Sequence, residues 1–333
     1  MKLFKKLGID LGTANSVVWE VGEGIVLNEP TIVAVGTEDR KVLAVGNEAK
    51  KMLGKTPEYI EVVRPLEDGV VSDYEVTEAM LKYFLRQVMG KMWFFGPEVM
   101  ICVPAGVTQV EQRAVMDATL AAGARRAYLI DEPLAAAIGA KIPVSEAAGN
   151  MIVDLGGGAA EAAVISLGGV VTHRSVRMGG NKVDELIANY LQKKYNLIIG
   201  EQTAEQIKIQ IGSAIKLKRP EKMEISGRDM VYGLPKNLEI DSDEVHESIK
   251  IFLDQIIRII RETLEVTPPE LVADIVDRGI ILSGGSSQLR NLDVLITREI
   301  GVSAHVAIEP QFCVIKGTGA AMENLEVYRR AVR

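Results

Sequence analysis

Cysteine, histidine and long apolar runs are all scarce in this chain, and each scarcity closes off a class of function. Only Cys102 and Cys313 occur, both in apolar, strand-like surroundings and without zinc spacing. They read as reduced core thiols of a cytosolic protein, not as a disulfide framework or a zinc site. His173, His246 and His305 are scattered, which argues against a histidine metal site or a hydrolase triad. No apolar run approaches the roughly 20 residues of a membrane span. The opening Met1-Lys2-Leu3-Phe4-Lys5-Lys6 passes at once into a strand-like segment, too early for a secretory leader. Basic residues are outnumbered, 38 Lys and Arg against 45 Asp and Glu with net charge −7, so no basic face for nucleic acid is expected.

What is present is a long chain with an ordinary core. The 333 residues are 47% hydrophobic and 25% charged, which suits two domains of roughly 150 residues each. The informative feature is a duplication. Residues 7–27 read as an apolar strand ending in Asp10, a Gly12 turn, a second strand, a Gly22 to Gly24 turn and a third strand. Residues 151–178 repeat the plan: Met151-Ile152-Val153, Asp154-Leu155-Gly156-Gly157-Gly158, a strand over 161–167, the turn Gly168-Gly169, and a strand over 170–178.

Helices follow each unit. The spacing of Val76, Met80, Phe84 and Val88 predicts one over 75–89, stopped by Gly90. A Thr108 and Glu111 capping box opens one over 109–122, and Thr203 with Gln206 suggests another over 204–216. Val245, Ile249, Phe252, Ile256, Ile260 and Leu264 share one face of a helix over 243–265. Strands then helices, twice, predict an α/β protein of two related halves.

The turns carry the chemistry. Without a Cβ, the backbone at Gly12 and at Gly156 to Gly158 can approach an anion and form a concave nest. Thr13 and Asn15 add side-chain donors. Asp10 and Asp154, at the ends of matching strands, are placed to face each other and to hold Mg²⁺ through its retained waters. One such turn is equally a capped hairpin; two in matching places point to a ligand. A third glycine pair follows the strand Gly279 to Ser283, as Gly284-Gly285-Ser286-Ser287, a junction also common for structural reasons. Glu205 and Lys208 lie three apart on one helical face, and by themselves read as a surface pair.

Together these residues resemble the actin, heat-shock chaperone and sugar-kinase superfamily, with its duplicated ribonuclease H-like α/β halves around a nucleotide cleft. The likeness is closest to the MreB family of bacterial actins. Asp10-Leu-Gly-Thr-Ala-Asn15, Val26-Leu-Asn-Glu-Pro30 and Arg64-Pro-Leu-Glu-Asp-Gly69 carry it, as do Ile130-Asp-Glu-Pro-Leu-Ala-Ala-Ala-Ile-Gly139 and Gly200-Glu-Gln-Thr-Ala-Glu-Gln-Ile-Lys208. It covers essentially the whole chain. It implies a first half over 1–145 with a small subdomain inserted near 31–65, and a second over 146–317 with one inserted near 181–242. A C-terminal helix over 318–333 returns to the first half, and helices near 108–122 and 317–331 form the hinge.

The resemblance also implies roles. ATP phosphates sit on Thr13, Ala14, Asn15 and Gly156, Gly157 and Gly158. The nucleoside meets Glu205, Lys208, Gly284, Gly285, Ser286 and Ser287. Mg²⁺ is held by Asp10 and Asp154 through water, and Glu132 with Asp154 serves catalysis, Glu132 orienting the attacking water. The family usually has threonine after its glycine triplet, where this chain has Ala159 and then Ala160. Loss of one positioned polar group costs on the order of 10²–10³ in rate, so ATP binding with slow hydrolysis is expected, the alternative being that another group or an ordered water compensates. Asn181 stands where aspartate is common.

The loop Lys91-Met92-Trp93-Phe94-Phe95-Gly96-Pro97 places four large apolar residues in a connection, where two or more pack under the loop or the group meets a bilayer interface. In the family the matching loop enters a bilayer interface, and Lys91 suits anionic headgroups. The expected protein is a polymerising actin homologue, a weak ATPase at the inner face of the cytoplasmic membrane. It works with copies of itself and with cell-wall elongation proteins to sustain rod shape. The alternatives are a soluble small-molecule kinase or a chaperone-type ATPase of the same superfamily. The chaperone reading lacks the usual basic residue near the first phosphate turn.

Overall fold

The computed structural model describes residues 4–67, 69–90, 96–329 and 331–333. The loop expected to meet a bilayer, Met92 to Phe95, lies outside them, as do Lys2, Leu3 and Lys91.

Two five-stranded sheets organise the chain. Numbering their strands in order, the first sheet holds β1 (Lys6–Leu11), β2 (Asn15–Glu20), β3 (Gly24–Pro30), β4 (Glu98–Val103) and β5 (Arg126–Asp131). The second holds β6 (Asn150–Leu155), β7 (Ala160–Ser166), β8 (Gly169–Val176), β9 (Ile280–Ser283) and β10 (Ala304–Val306). The spatial orders are β5-β4-β1-β2-β3 and β8-β7-β6-β9-β10, so each sheet has its first strand central and its next two on one side. In both, the first three strands pair antiparallel and the last two join the first in parallel. The duplication read from the turns is therefore a duplication of topology.

Burial explains the strand sequences. Every residue of β6 is buried, because helices cover both faces of its sheet, and its run is apolar except for Asn150 and Asp154. Helix Ser242–Glu265 covers β7 and β8 with Val245, Ile249, Phe252, Ile256 and Ile260, each at most 2% exposed. A capping box of Asp241 and Glu244 starts that helix. On the first sheet, Val76, Met80 and Phe84 of helix Tyr74–Met89 are buried as their spacing implied. The Thr108 and Glu111 box opens helix Gln109–Ala121. Two small three-stranded sheets, one over residues 33–63 and one over 197–241, are inserted in the chain.

Three local readings change. The helix expected from Thr203 begins earlier, as Glu201–Ile211, with Gly200 at its N-cap and no side-chain cap. Thr203 is then interior to the first turn. The β7–β8 hairpin turns on Leu167 and Gly168 (φ 51° and 76°), one residue before the Gly168-Gly169 pair, because Ser166 and Gly169 already face each other in the ladder. The closing helix is Cys313–Glu323, not 318–333. It follows a 3₁₀ turn at Pro310–Phe312 and stops at Asn324, whose side chain donates to the Ala320 carbonyl.

The hinge is also differently built. Helix Gln109–Ala121 packs on the outside of the first half, against helix Tyr74–Met89 and β5. The helix that crosses Cys313–Glu323 is Glu132–Gly139, and the crossing lies between the two sheets. A Cβ on Gly139 would stand 1.9 Å from the Cys313 carbonyl oxygen, and one on Gly317 would stand 1.7 Å from that of Ala135. Only glycine permits this approach. One core cluster there joins Met100, Cys102 and Ile130 of the first sheet to Ile152, Ala163 and Ile165 of the second.

Candidate functional site

Strands β1 and β6 end in Asp10 and Asp154, and the chain turns immediately into β2 and β7. The register is the same in both hairpins, Asp10 opposite Val17 and Asp154 opposite Glu161. The two turns touch. A Cβ on Gly157 would lie 2.6 Å from Ala14 Cβ, and one on Gly158 would lie 2.5 Å from Thr13 Oγ1. Side chains at either position would push the halves apart.

Each turn is held from behind. Thr31 Oγ1 donates to the Gly12 carbonyl (2.6 Å) and shares a hydrogen bond with Ser16 Oγ (2.9 Å). Thr13 Oγ1 accepts from the Gly69 amide at 3.0 Å. On the other side, the Gly180 and Asn181 amides at the start of helix Gly180–Tyr195 donate to the Gly156 and Gly157 carbonyls (3.0 and 2.9 Å). Ser286 Oγ donates to the Gly156 carbonyl at 2.8 Å. With their carbonyls turned to these donors, the turns leave amides over. Those of Thr13, Ala14, Gly157 and Gly158 make no hydrogen bond within the protein among the described residues. Four free amides on two touching turns are the makings of an anion nest.

The nest opens onto a cavity of about 670 Å³ between the halves. Gly12, Thr13, Ala14 and Asn15 line it from one side, Asp154 and Gly156 to Gly158 from the other. Asp10 and Glu132 close its floor. Glu205 and Lys208 line the far end with Gly284, Gly285 and Ser286. Ser287 does not line it: it is buried and its Oγ donates to the Gly284 carbonyl at 2.7 Å, bracing the turn. Gly284 has φ 81°, and a Cβ there would lie 2.3 Å from the Leu155 carbonyl oxygen. Lys208 is committed to the protein, donating to the Gly180 carbonyl (3.1 Å) and to Asp184 Oδ2 (2.8 Å). Glu205 faces Lys50 of helix Asn47–Met52 at 3.9 Å, and Glu201 pairs with Arg64. Glu205 and Lys208 therefore line the cavity and are more than the surface pair their spacing suggested.

Four carboxylates crowd the floor. Burial and the neighbouring Asp154 raise Asp10 to about 7, although part of its side chain opens to the cavity. Burial raises Asp154 to about 6 against a hydrogen bond from Ser283 Oγ (2.7 Å). Burial, and then Asp154, raise Glu161 to about 8. Burial, and then Glu161, Asp10 and Asp154, hold Glu132 well above the usual carboxylate range. Such a cluster favours a cation in its midst. Among the described residues no three potential ligands converge closely enough to hold a bare metal ion. The fit is therefore to a hydrated divalent cation, which keeps several of its waters.

Sequence reasoning missed Glu161, along with Gly180 and Arg290 in the lining. For Glu161 a signal existed: it is the one charged residue in the buried strand Ala160–Ser166.

Comparison with known proteins follows the same outline. The sequence model of the family described as MreB/Mbl protein matches residues 4–330. The cell shape-determining protein Mbl of Bacillus cereus is 46% identical over 330 residues, covering 99% of each chain. The cell shape-determining protein MreB of Escherichia coli is 47% identical over 327 residues, covering 97% of this chain and 94% of that protein. The crystal structure of MreB5 of Spiroplasma citri bound to AMPPNP superposes with a TM-score of 0.92 at 35% identity, covering 99% of both chains.

Proposed function

The chain belongs to the MreB/Mbl family of actin-like proteins, and from that premise we propose that it binds ATP with Mg²⁺ in the cleft and polymerises into filaments that organise cell-wall synthesis and rod shape. The observation that carries the nucleotide reading is the pair of touching turns, with free amides, that line the cavity between the halves. The S. citri relative, bound to AMPPNP, supports it. The relatives' designation as cell shape-determining supports the cellular role.

The free amides of Thr13, Ala14, Gly157 and Gly158, with Asn15 beside them, hold the phosphates. Gly284, Gly285 and Ser286 present bare backbone to the nucleoside, with Glu205 and Lys208 opposite. Asp10 and Asp154 hold the hydrated magnesium ion, which neutralises phosphate charge when bound. Glu132, buried beside them, orients water for attack on the terminal phosphate. Hydrolysis is slow, because Ala159 offers no hydroxyl.

Residues 1–145 and 146–317 form the two halves, with small subdomains near 31–65 and 181–242. Nucleotide closes the halves on each other and so favours contacts between copies. The filament lies on the inner face of the cytoplasmic membrane. No helix among the described residues is long and apolar enough to cross a bilayer. Attachment is peripheral, through Met92, Trp93, Phe94 and Phe95; each copy is a weak anchor and the filament adds avidity. Its other partners are cell-wall elongation proteins, and no nucleic acid is involved. Pelleting with ATP or ADP, with and without anionic liposomes, tests all of this at once. The polymer is expected only with ATP, and liposome pelleting is expected to vanish when Trp93 and Phe94 become serine.

A further inference from the structure

Among the described residues, one buried acceptor in the cleft has no donor. Glu161 is 2% exposed, and among the described residues its Oε1 makes no hydrogen bond and its Oε2 is reached only by the Ala105 amide at 3.5 Å. Ala105 lies in the loop after β4, in the first half, so Glu161 spans the floor of the cleft from the second. Opposite Asp154 in the antiparallel ladder, it stands beside that residue on the same face of the sheet. It lines the same cavity as Glu132 and the Gly156 to Gly158 turn. A buried polar atom without a partner is costly, so a donor that arrives with a ligand gains more here than in water. The two residues between the turn and Glu161, Ala159 and Ala160, carry no polar side-chain atom. Glu161 is therefore the first side chain after the glycine turn able to grip a water.

We propose that Glu161 accepts a hydrogen bond from the water that attacks the terminal phosphate, holding it jointly with Glu132 and offsetting only part of the loss of a hydroxyl at position 159. The inference rests on the ATP reading above. A water held at one point still rotates; held at two, its lone pair is aimed. In the step itself the water oxygen forms a bond to the γ-phosphorus. The bond from that phosphorus to the β–γ bridging oxygen breaks and its electron pair leaves with ADP. Both water protons stay on the inorganic phosphate released. Glu161 and Glu132 orient and are not consumed.

The test uses the full chain and reads nucleotide affinity, phosphate release and magnesium dependence separately. Glu161→Ala is expected to lower turnover about 10²-fold, the scale for loss of one positioned polar group, with affinity for a fluorescent ATP analogue within about twofold of the parent. Glu161→Gln, which keeps an acceptor oxygen, recovers most of that loss. Ala159→Thr in the Glu161→Ala background restores turnover by supplying the hydroxyl. A structure with ADP and fluoroaluminate places a water on Glu161 Oε1. Unchanged turnover in Glu161→Ala overturns the inference. So does a parallel loss of nucleotide affinity, or a defect that saturating Mg²⁺ repairs, which assigns Glu161 to the cation's water shell. A parent that binds ATP but releases no phosphate overturns this inference alone. A parent that binds no ATP overturns the nucleotide reading as well.

Discussion

A methyl group on Gly157 meets the Cβ of Ala14, an atom that no rotamer can move away. Gly157→Ala therefore forces the two turns apart, and nucleotide affinity measured by fluorescence titration is expected to fall at least 10-fold while the fold persists. Two residues on, Ala159→Thr adds a hydroxyl where the chain has none, and phosphate release is expected to rise, toward 10²-fold. The acid cluster has a pH signature. Asp10, Asp154 and Glu161 titrate near 7, 6 and 8 in the folded protein, against 3.8, 3.8 and 4.5 as free side chains. Across that interval the folded state keeps protons that the unfolded chain has released. Their contribution to stability is present below the unfolded values and is lost as pH rises through the folded ones. The melting temperature of the ligand-free protein is expected to fall between pH 6 and pH 8, and to fall less in Glu161→Gln.

Among the elements, the crossing of Glu132–Gly139 with Cys313–Glu323 is the least tolerant of change. A Cβ on Gly317 falls 1.7 Å from a backbone carbonyl, which cannot step aside without moving a helix. Gly317→Ala is expected to cost about 3 kcal/mol, the upper range for overpacking, read as a lower urea midpoint. The run Ala135 to Ala137 with Gly139 stood in the sequence only as part of a family-like motif, not as a short helix. That it forms the hinge was not visible there, because small residues mark a close approach without naming what approaches. The 242–265 helix was legible nearly to the residue, since its apolar positions repeat at helical spacing over six turns. Glu201–Ile211 was not, because its start lacks a side-chain cap and a decoy cap sits inside its first turn.

At the scale of the molecule, the segment that carries the first small sheet is joined to helix Glu201–Ile211 by Lys50 with Glu205 and Arg64 with Glu201. Exposed pairs of this kind are worth ~0.2–1 kcal/mol each. Reversing Lys50 and Arg64 to glutamate is expected to speed nucleotide release about two- to fivefold by stopped flow, and to increase the radius of gyration in solution scattering. By itself the sequence determined the α/β duplication and the two Asp-Leu-Gly turns. Strand periodicity, glycine and hairpin chemistry are local, and a repeat announces itself wherever local signals recur. The tertiary structure alone decided that the turns touch, that four carboxylates share one floor, and that Glu161 belongs among them. Those facts depend on which residues, far apart in the sequence, the folded core brings to one cavity, and burial and charge act through that proximity.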